Sequence, residues 1–221
     1  MKVLKSFLVC FMILTSFFAF TACSSKGEIK GCSYSLIANG EEYEIGQEYK
    51  MFSEGPSGNL TIPETYKDKK ITSIGSFACC HKITNVIGNK NITTITKNAF
   101  GCRCQGSTTR GTMKLKSVEF PQEGNLKNIE NYAFYKCSNL EKIVIPKNFE
   151  SFGRGVFYCC LNLKSIYIYN TTPPTGASTL FDDEVYSHLA PEGLTIYVST
   201  ESLEVYQNSN WSSYNIQAIN L

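Results

Sequence analysis

The segment LKNIENYAFYKCSNLEKIVIPKN, beginning at Leu126, and the segment FESFGRGVFYCCLNLKSIYIYN, beginning at Phe149, superpose at an offset of 23 residues. In that register Leu126 meets Phe149, Ile129 meets Phe152 and Phe134 meets Phe157. Cys137 meets Cys160, Leu140 meets Leu163, Ile143 meets Ile166 and Ile145 meets Ile168. Seven apolar positions recur, and a period of this length marks a stack of supersecondary units.

The same template runs upstream. A first unit begins at Ile71 and matches with Ile74, Phe77, Cys80, Ile83 and Val86, two residues shorter between its Ile and its Phe. A second begins at Ile92 and reads ITTITKNAF to Phe100. It breaks at GCRCQGSTTRGTMK and resumes as LKSVEFP from Leu115, an insertion of about nine residues. Each unit holds short strand-like pieces, such as LEKIVIP, and a turn around an Ala-Phe or Val-Phe pair. No unit buries its own apolar face. Stacked at a strand spacing of about 4.8 Å, like lies over like, and columns of Ile, Phe, Cys and Leu become one core. SYSLIANGEEYEI alternates about Asn39-Gly40, a strong hairpin signal. With the strand that ends at Pro63 it caps the first repeat. At the other end, Asn170 to Pro174 is a loop and residues 175–193 are irregular. Leu194, Ile196 and Val198 alternate as a final strand. Ser199 or Thr200 N-caps a short helix through Tyr206, and Trp211 and Tyr214 cover the last repeat.

Lys2 and Lys5, the apolar run from Phe7 to Phe20 and the small residues before Cys23 form a secretory signal. The run is too short to span a membrane comfortably, which takes about 20 residues. Phe20-Thr21-Ala22-Cys23 resembles a bacterial lipobox, with Phe20 where a smaller aliphatic residue is usual. The resemblance implies cleavage before Cys23 and lipidation of its thiol. Loss of Lys2 and Lys5 leaves 19 basic residues against 19 acidic ones. That balance argues against nucleic acid or an anionic membrane surface as the main partner. Of ten cysteines, Cys80, Cys137 and Cys160 share one repeat position, which reads as a column of buried thiols. A disulfide using Cys102 or Cys104 is the alternative.

The unit IENYAFYKCSNLEKIVIP resembles the BspA-like leucine-rich repeats of surface lipoproteins: an Ile-rich start, an Ala-Phe, a Cys where other leucine-rich repeats carry Asn, and a Leu strand ending in Ile-Pro. LTIPETYKDKKITSIG resembles the family's lead-in. TTPP at 171–174, LTIYV at 194–198 and ESLEVYQNSNWSSYNIQAI resemble its exit. The resemblance spans roughly residues 34–219, with Ser199 in place of the usual Pro and the insertion as departures. It implies a right-handed solenoid with a parallel sheet on one face, and cell-surface adhesion or protein binding without catalysis. The expected organisation is a signal peptide over 1–22, a lipidated Cys23 and tether over 23–33, and a capping hairpin and lead-in strand over 34–70. Repeats follow over 71–169, with the insertion at about 101–114, and a C-terminal cap over 170–221.

Catalytic signals are weak. His81 and His188 are the only histidines, without metal-type spacing or a phosphate-binding loop. His81 with Cys79, Cys80, Cys102 and Cys104 fits no standard zinc pattern, so no metal and no cofactor are assigned. Binding signals are better. With Leu140, Ile143 and Ile145 inward, period-two alternation turns Lys142 and Val144 outward. The same register exposes Ile87, Glu119, Tyr167, Tyr169 and Tyr197, a largely apolar or aromatic row on a solvent face. Strand propensity alone is the competing reason for Val and Tyr there. The insertion, with Arg103, Arg110 and Lys114, is a second candidate. The expected protein is exported and lipid-anchored at the bacterial outer membrane or cell surface. Its expected partner is a protein or extracellular-matrix-type macromolecule. A glycan binder using Tyr167, Tyr169 and Trp211 is the first rival, and a Cys-based metal or redox protein the second.

Overall fold

The structure is a computed structural model that describes residues 29–47, 55–77, 82–101, 114–182 and 189–220. The signal peptide and Cys23 lie outside these residues, as do Arg103, Arg110 and both histidines.

The chain winds as stacked coils, each laying one strand into each of two parallel sheets. Strand β1 (Cys32–Ile37) turns through Ala38–Gly40 into β2 (Glu42–Gln47), antiparallel to it. Asn39 and Gly40 take the left-handed backbone (φ 57° and 87°) that this dipeptide tolerates. Strand β3 (Gly58–Thr61) follows, then β4 (Thr65–Tyr66), which folds back on β5 (Lys69–Ile74). From there the two sheets alternate: β6 (Ile83–Ile87), β7 (Thr94–Ile95), β8 (Ser117–Glu119), β9 (Asn128–Ile129), β10 (Lys142–Ile145), β11 (Ser151–Phe152) and β12 (Ser165–Ile168). Strand β13 (Thr195–Ser199), helix α1 (Leu203–Gln207) and β14 (Asn215–Ile219) close the chain. The first sheet runs β1-β2-β5-β7-β9-β11, and the second runs β14-β13-β12-β10-β8-β6-β3. The longer strands of the second sheet are the ones the repeat foretold. The first is a ladder of mostly two-residue strands built on the Ile positions, with Ile74 beside Ile95, Ile95 beside Ile129 and Ile129 beside Phe152.

A third ladder joins the coils at the Ala-Phe corner. The Phe77 amide donates to Ala99 O (2.5 Å), Phe100 to Ala133 O (2.7 Å), Phe134 to Val156 O (3.0 Å) and Phe157 to Leu180 O (2.9 Å). The corner visits left-handed backbone at Asn98, Tyr132 and Gly155 (φ 57°, 60° and 60°), and two of the corners visit it again at Lys136 and Cys159 (59° and 58°). Inside the corner the Phe rings stack: Phe77 on Phe100 at 5.5 Å, Phe100 on Phe134 at 5.3 Å and Phe134 on Phe157 at 5.7 Å. The Cys column behaves as expected at Cys137 and Cys160, buried thiols whose Sγ atoms reach Phe100 O (3.5 Å) and Phe134 O (3.1 Å) of the preceding coil.

The columns run on past Tyr169. Thr175 bridges in parallel to Ser151, and Phe181 extends the Phe column, its ring 6.1 Å from Phe157 and tilted by 39°. Trp211 then closes the end. It is fully buried, donates Nε1–H to Pro174 O (2.9 Å), and packs against Phe152, Tyr206 and Tyr214. The short helix is present, though a 3-10 turn (Thr200–Ser202) precedes it. Ser199 Oγ meets Ser202 Oγ (2.7 Å) and caps no backbone amide. Strand β14 was not foreseen.

Two outcomes follow. Phe134 is fully buried between two rings. Phe134→Ala should lower stability by roughly 3–5 kcal/mol in a denaturant melt. In the cap, Tyr214 Oη–H donates to Ala177 O (2.6 Å), and burial, aided by Asp182, pushes its phenol up to about 12. The unfolded chain releases that proton near pH 10. Above that pH the folded state binds more protons, so stability falls as pH rises toward 12. Tyr214→Phe should flatten that fall in thermal melts taken across alkaline pH.

Candidate binding face

The inward residues of the second sheet, Val86, Val118, Ile143, Ile166 and Ile196, are fully buried. Alternation therefore turns their neighbours to the other side. Register then fixes which of those neighbours align. Ile87 pairs with Glu119, Glu119 with Val144, Val144 with Tyr167, Tyr167 with Tyr197, and Tyr197 with Gln217. The row read from the sequence is thus one straight line across five strands, and it continues onto β14. A second line beside it runs Asn85, Ser117, Lys142, Ser165, Thr195 and Asn215.

The two lines differ in character along the stack. At the N-terminal end is a hydrogen-bond ladder. Asn85 Nδ2 donates to Asn59 Oδ1 (2.7 Å), and Ser117 Oγ donates to Asn85 Oδ1 (2.9 Å). At the centre Lys142 Nζ lies 3.1 Å from Glu119 Oε1 and 5.3 Å from the Tyr167 ring centroid. Tyr167 in turn stacks on Tyr197 at 4.8 Å with rings 15° from parallel. Glu119, Lys142, Tyr167 and Tyr197 thus form one contiguous group, partly open to solvent.

Val144 departs from expectation. It holds its place in the outer line but is only 8% exposed. Its row neighbours Glu119 and Tyr167 are both larger, and Lys142, two residues back on the same face, reaches to both. The three side chains close over the shorter Val144, so it supports the face and offers little surface. Ile87 is exposed at 38%. Tyr169 lies just beyond β12, half-buried, its amide donating to Ile145 O (3.1 Å). Lys114 is exposed ahead of β8, whereas the rest of the insertion candidate lies outside the described residues. Sequence reasoning missed Asn59 and the β14 pair Asn215 and Gln217. The alternation of Ile216 and Ala218 in NIQAI was the available signal.

Of the described cysteines, Cys32 and Cys160 are poor nucleophiles. Burial raises the Cys160 thiol well above its usual value, with Cys137 adding to the rise, and pushes Cys32 up to about 12. Neither holds appreciable thiolate at neutral pH. Among the described residues no group of three His, Cys, Asp or Glu is placed to hold a metal. The zinc candidates Cys79, Cys80, His81, Cys102 and Cys104 lie outside those residues. A hollow of about 350 Å³ opens on the N-terminal cap, lined by Tyr34, Tyr43, Tyr66, Leu36 and Lys67. Tyr34 and Tyr66 stack across it at 3.9 Å.

Parallel strands in stacked coils, with few helices and one sheet face open, define a leucine-rich-repeat solenoid. The family model of the BspA type leucine rich repeat region matches in six copies, over residues 16–109, 44–183 and 107–220. The chain belongs to that family, a bacterial class of protein-binding, generally non-catalytic repeats. It is similar to the crystal structure of a Treponema pallidum (T. pallidum) leucine rich repeat protein. The match has 17% identity over 89% of this chain and 83% of that one, with a TM-score of 0.60. It also matches a leucine rich cell surface protein from Faecalibacterium prausnitzii (18% identity, 88% of this chain, 54% of that chain, TM-score 0.40). A leucine-rich repeat protein from Bacteroides ovatus matches at 22% identity, over 81% of this chain and 56% of that chain, with a TM-score of 0.31. No curated protein matches.

Proposed function

We propose that this is a bacterial surface lipoprotein, anchored through Cys23, that binds an extracellular-matrix-type protein on the outer face of its second sheet. The observation that carries the reading is the line from Ile87 to Tyr197. With Lys142 from the neighbouring line, it sets an exposed Ile, a Lys–Glu pair and two tyrosines side by side on one sheet face. Rigid strands hold these side chains before a partner arrives, which lowers the entropy lost on binding. Tyrosines are enriched at protein contacts, and a charge pair beside them helps to orient a partner.

The geometry speaks against the glycan rival. A sugar stacks on an open aromatic face. Here the Tyr167 ring is already occupied by the Lys142 ammonium and by Tyr197 stacked on it. Trp211, the third aromatic of that rival, is buried in the cap.

Two experiments test the proposal. The full chain should bind at least one member of a panel of immobilised extracellular-matrix proteins. The double variant Tyr167→Ala, Tyr197→Ala should weaken that binding at least ~tenfold while leaving the fold intact, as expected for truncating central aromatic contacts. Unchanged binding by the double variant would remove the face from consideration. In the source cell Cys23→Ser should move the protein from the membrane fraction to the soluble one. Retention in the membrane would show that the anchor lies elsewhere.

A further inference from the structure

The near-neutral chain conceals a strong segregation of charge. Residues 69–118, the first two repeats, carry nine Lys and Arg and no Asp or Glu. Residues 165–221, the C-terminal coils and cap, carry six Asp and Glu and no Lys or Arg. Acids of the N-terminal cap offset part of the basic charge, at Lys69 and Lys90; like charges gathered elsewhere on one part of a surface repel and do not stabilise the fold. A one-signed field instead steers and orients a partner.

The fold places part of this charge at one rim of the candidate face. Lys82 immediately precedes β6, its carbonyl accepting from the Gly58 amide (2.9 Å). Lys114 and Lys116 lead into β8, with the Lys116 amide on Thr84 O (2.7 Å). All three side chains are exposed. Among the described residues, Lys69 and Lys90 pair with Glu41 and Glu64 (3.9 and 3.2 Å), whereas no carboxylate pairs with Lys114 or Lys116. Further along the same rim stand Glu141 and then Lys164, both exposed, their amides on Lys116 O and Glu141 O. Beyond Lys164 the basic residues end, and the face continues as Tyr167, Tyr197 and Gln217.

We propose that the rim formed by Lys82, Lys114 and Lys116 docks an acidic segment of the protein partner. The apolar part of that partner then meets Tyr167 and Tyr197, so charge sets its direction along the stack. The inference rests on the outer face being the binding surface. Lysines suit it because they are mobile point charges that follow a flexible run of carboxylates, where arginine would favour bidentate geometry. A sulfated polysaccharide shares the charge but would leave Ile87 and the tyrosines unused.

The test uses the purified full chain and a fluorescein-labelled oligo-glutamate peptide, followed by anisotropy. Binding is expected at low salt and should weaken at least ~tenfold at physiological salt as screening shortens the reach of the charges. The variant Lys82→Glu, Lys114→Glu, Lys116→Glu should lose it with an unchanged melting curve. No binding by the parent, or equal binding by the triple variant, would overturn the proposal. Heparin binding more tightly than oligo-glutamate would also overturn it, in favour of a polysaccharide. The Tyr167→Ala, Tyr197→Ala variant should bind oligo-glutamate normally. Its behaviour toward matrix proteins therefore judges the outer face separately from the basic rim.

Discussion

Backbone hydrogen bonding from each coil to the next is what the rest of this structure depends on. It occurs on three sides: along both sheets and at the Ala-Phe corner. Once these ladders are set, equivalent residues stand one strand spacing apart, and the chain has no freedom to offset them. The Phe stack, the Cys thiols on the preceding Phe carbonyl and the Ile columns all follow from that register. The ion pairs follow as well. Lys127–Glu150, Lys147–Glu123 and Lys142–Glu119 each join neighbouring coils, although exposed pairs of this kind contribute little to stability.

The same register makes the outer face. Because inward positions are fixed by the core, the intervening positions are fixed with them, and five coils align Ile87 with Tyr197 without any contact designed for that purpose. What differs between coils is then free to serve recognition. The core needs Ile or Val at each inward position, while the outer line varies from Ile through Glu and Val to Tyr. Stacking also decides how the tyrosines are shown. Parallel rings at strand spacing each cover a face of the other, which leaves less of a sugar platform.

Much of this was legible in the sequence because the repeat carries apolar residues at fixed spacings. The Phe and Cys columns, the hairpin at Asn39-Gly40 and the outer line could be read directly. The first sheet was not, since strands such as β7, β9 and β11 have two residues and leave no room for alternation. The coil through Thr175 and Phe181 was hidden because it lacks the Cys and Leu that mark the others. Val144 was placed in the correct line, yet its burial depends on how far Lys142, Glu119 and Tyr167 extend over it, which spacing does not encode.

The most direct test is residue-resolved hydrogen exchange of the Phe100, Phe134 and Phe157 amides in the full chain. These amides sit at or beside turns, where exchange is ordinarily fast. The coil-to-coil ladder predicts that all three exchange only on global unfolding, at rates matching Val118 and Ile143 in the second sheet. Rapid exchange at the corner, with protection confined to the sheet, would contradict the three-sided ladder and the register built on it.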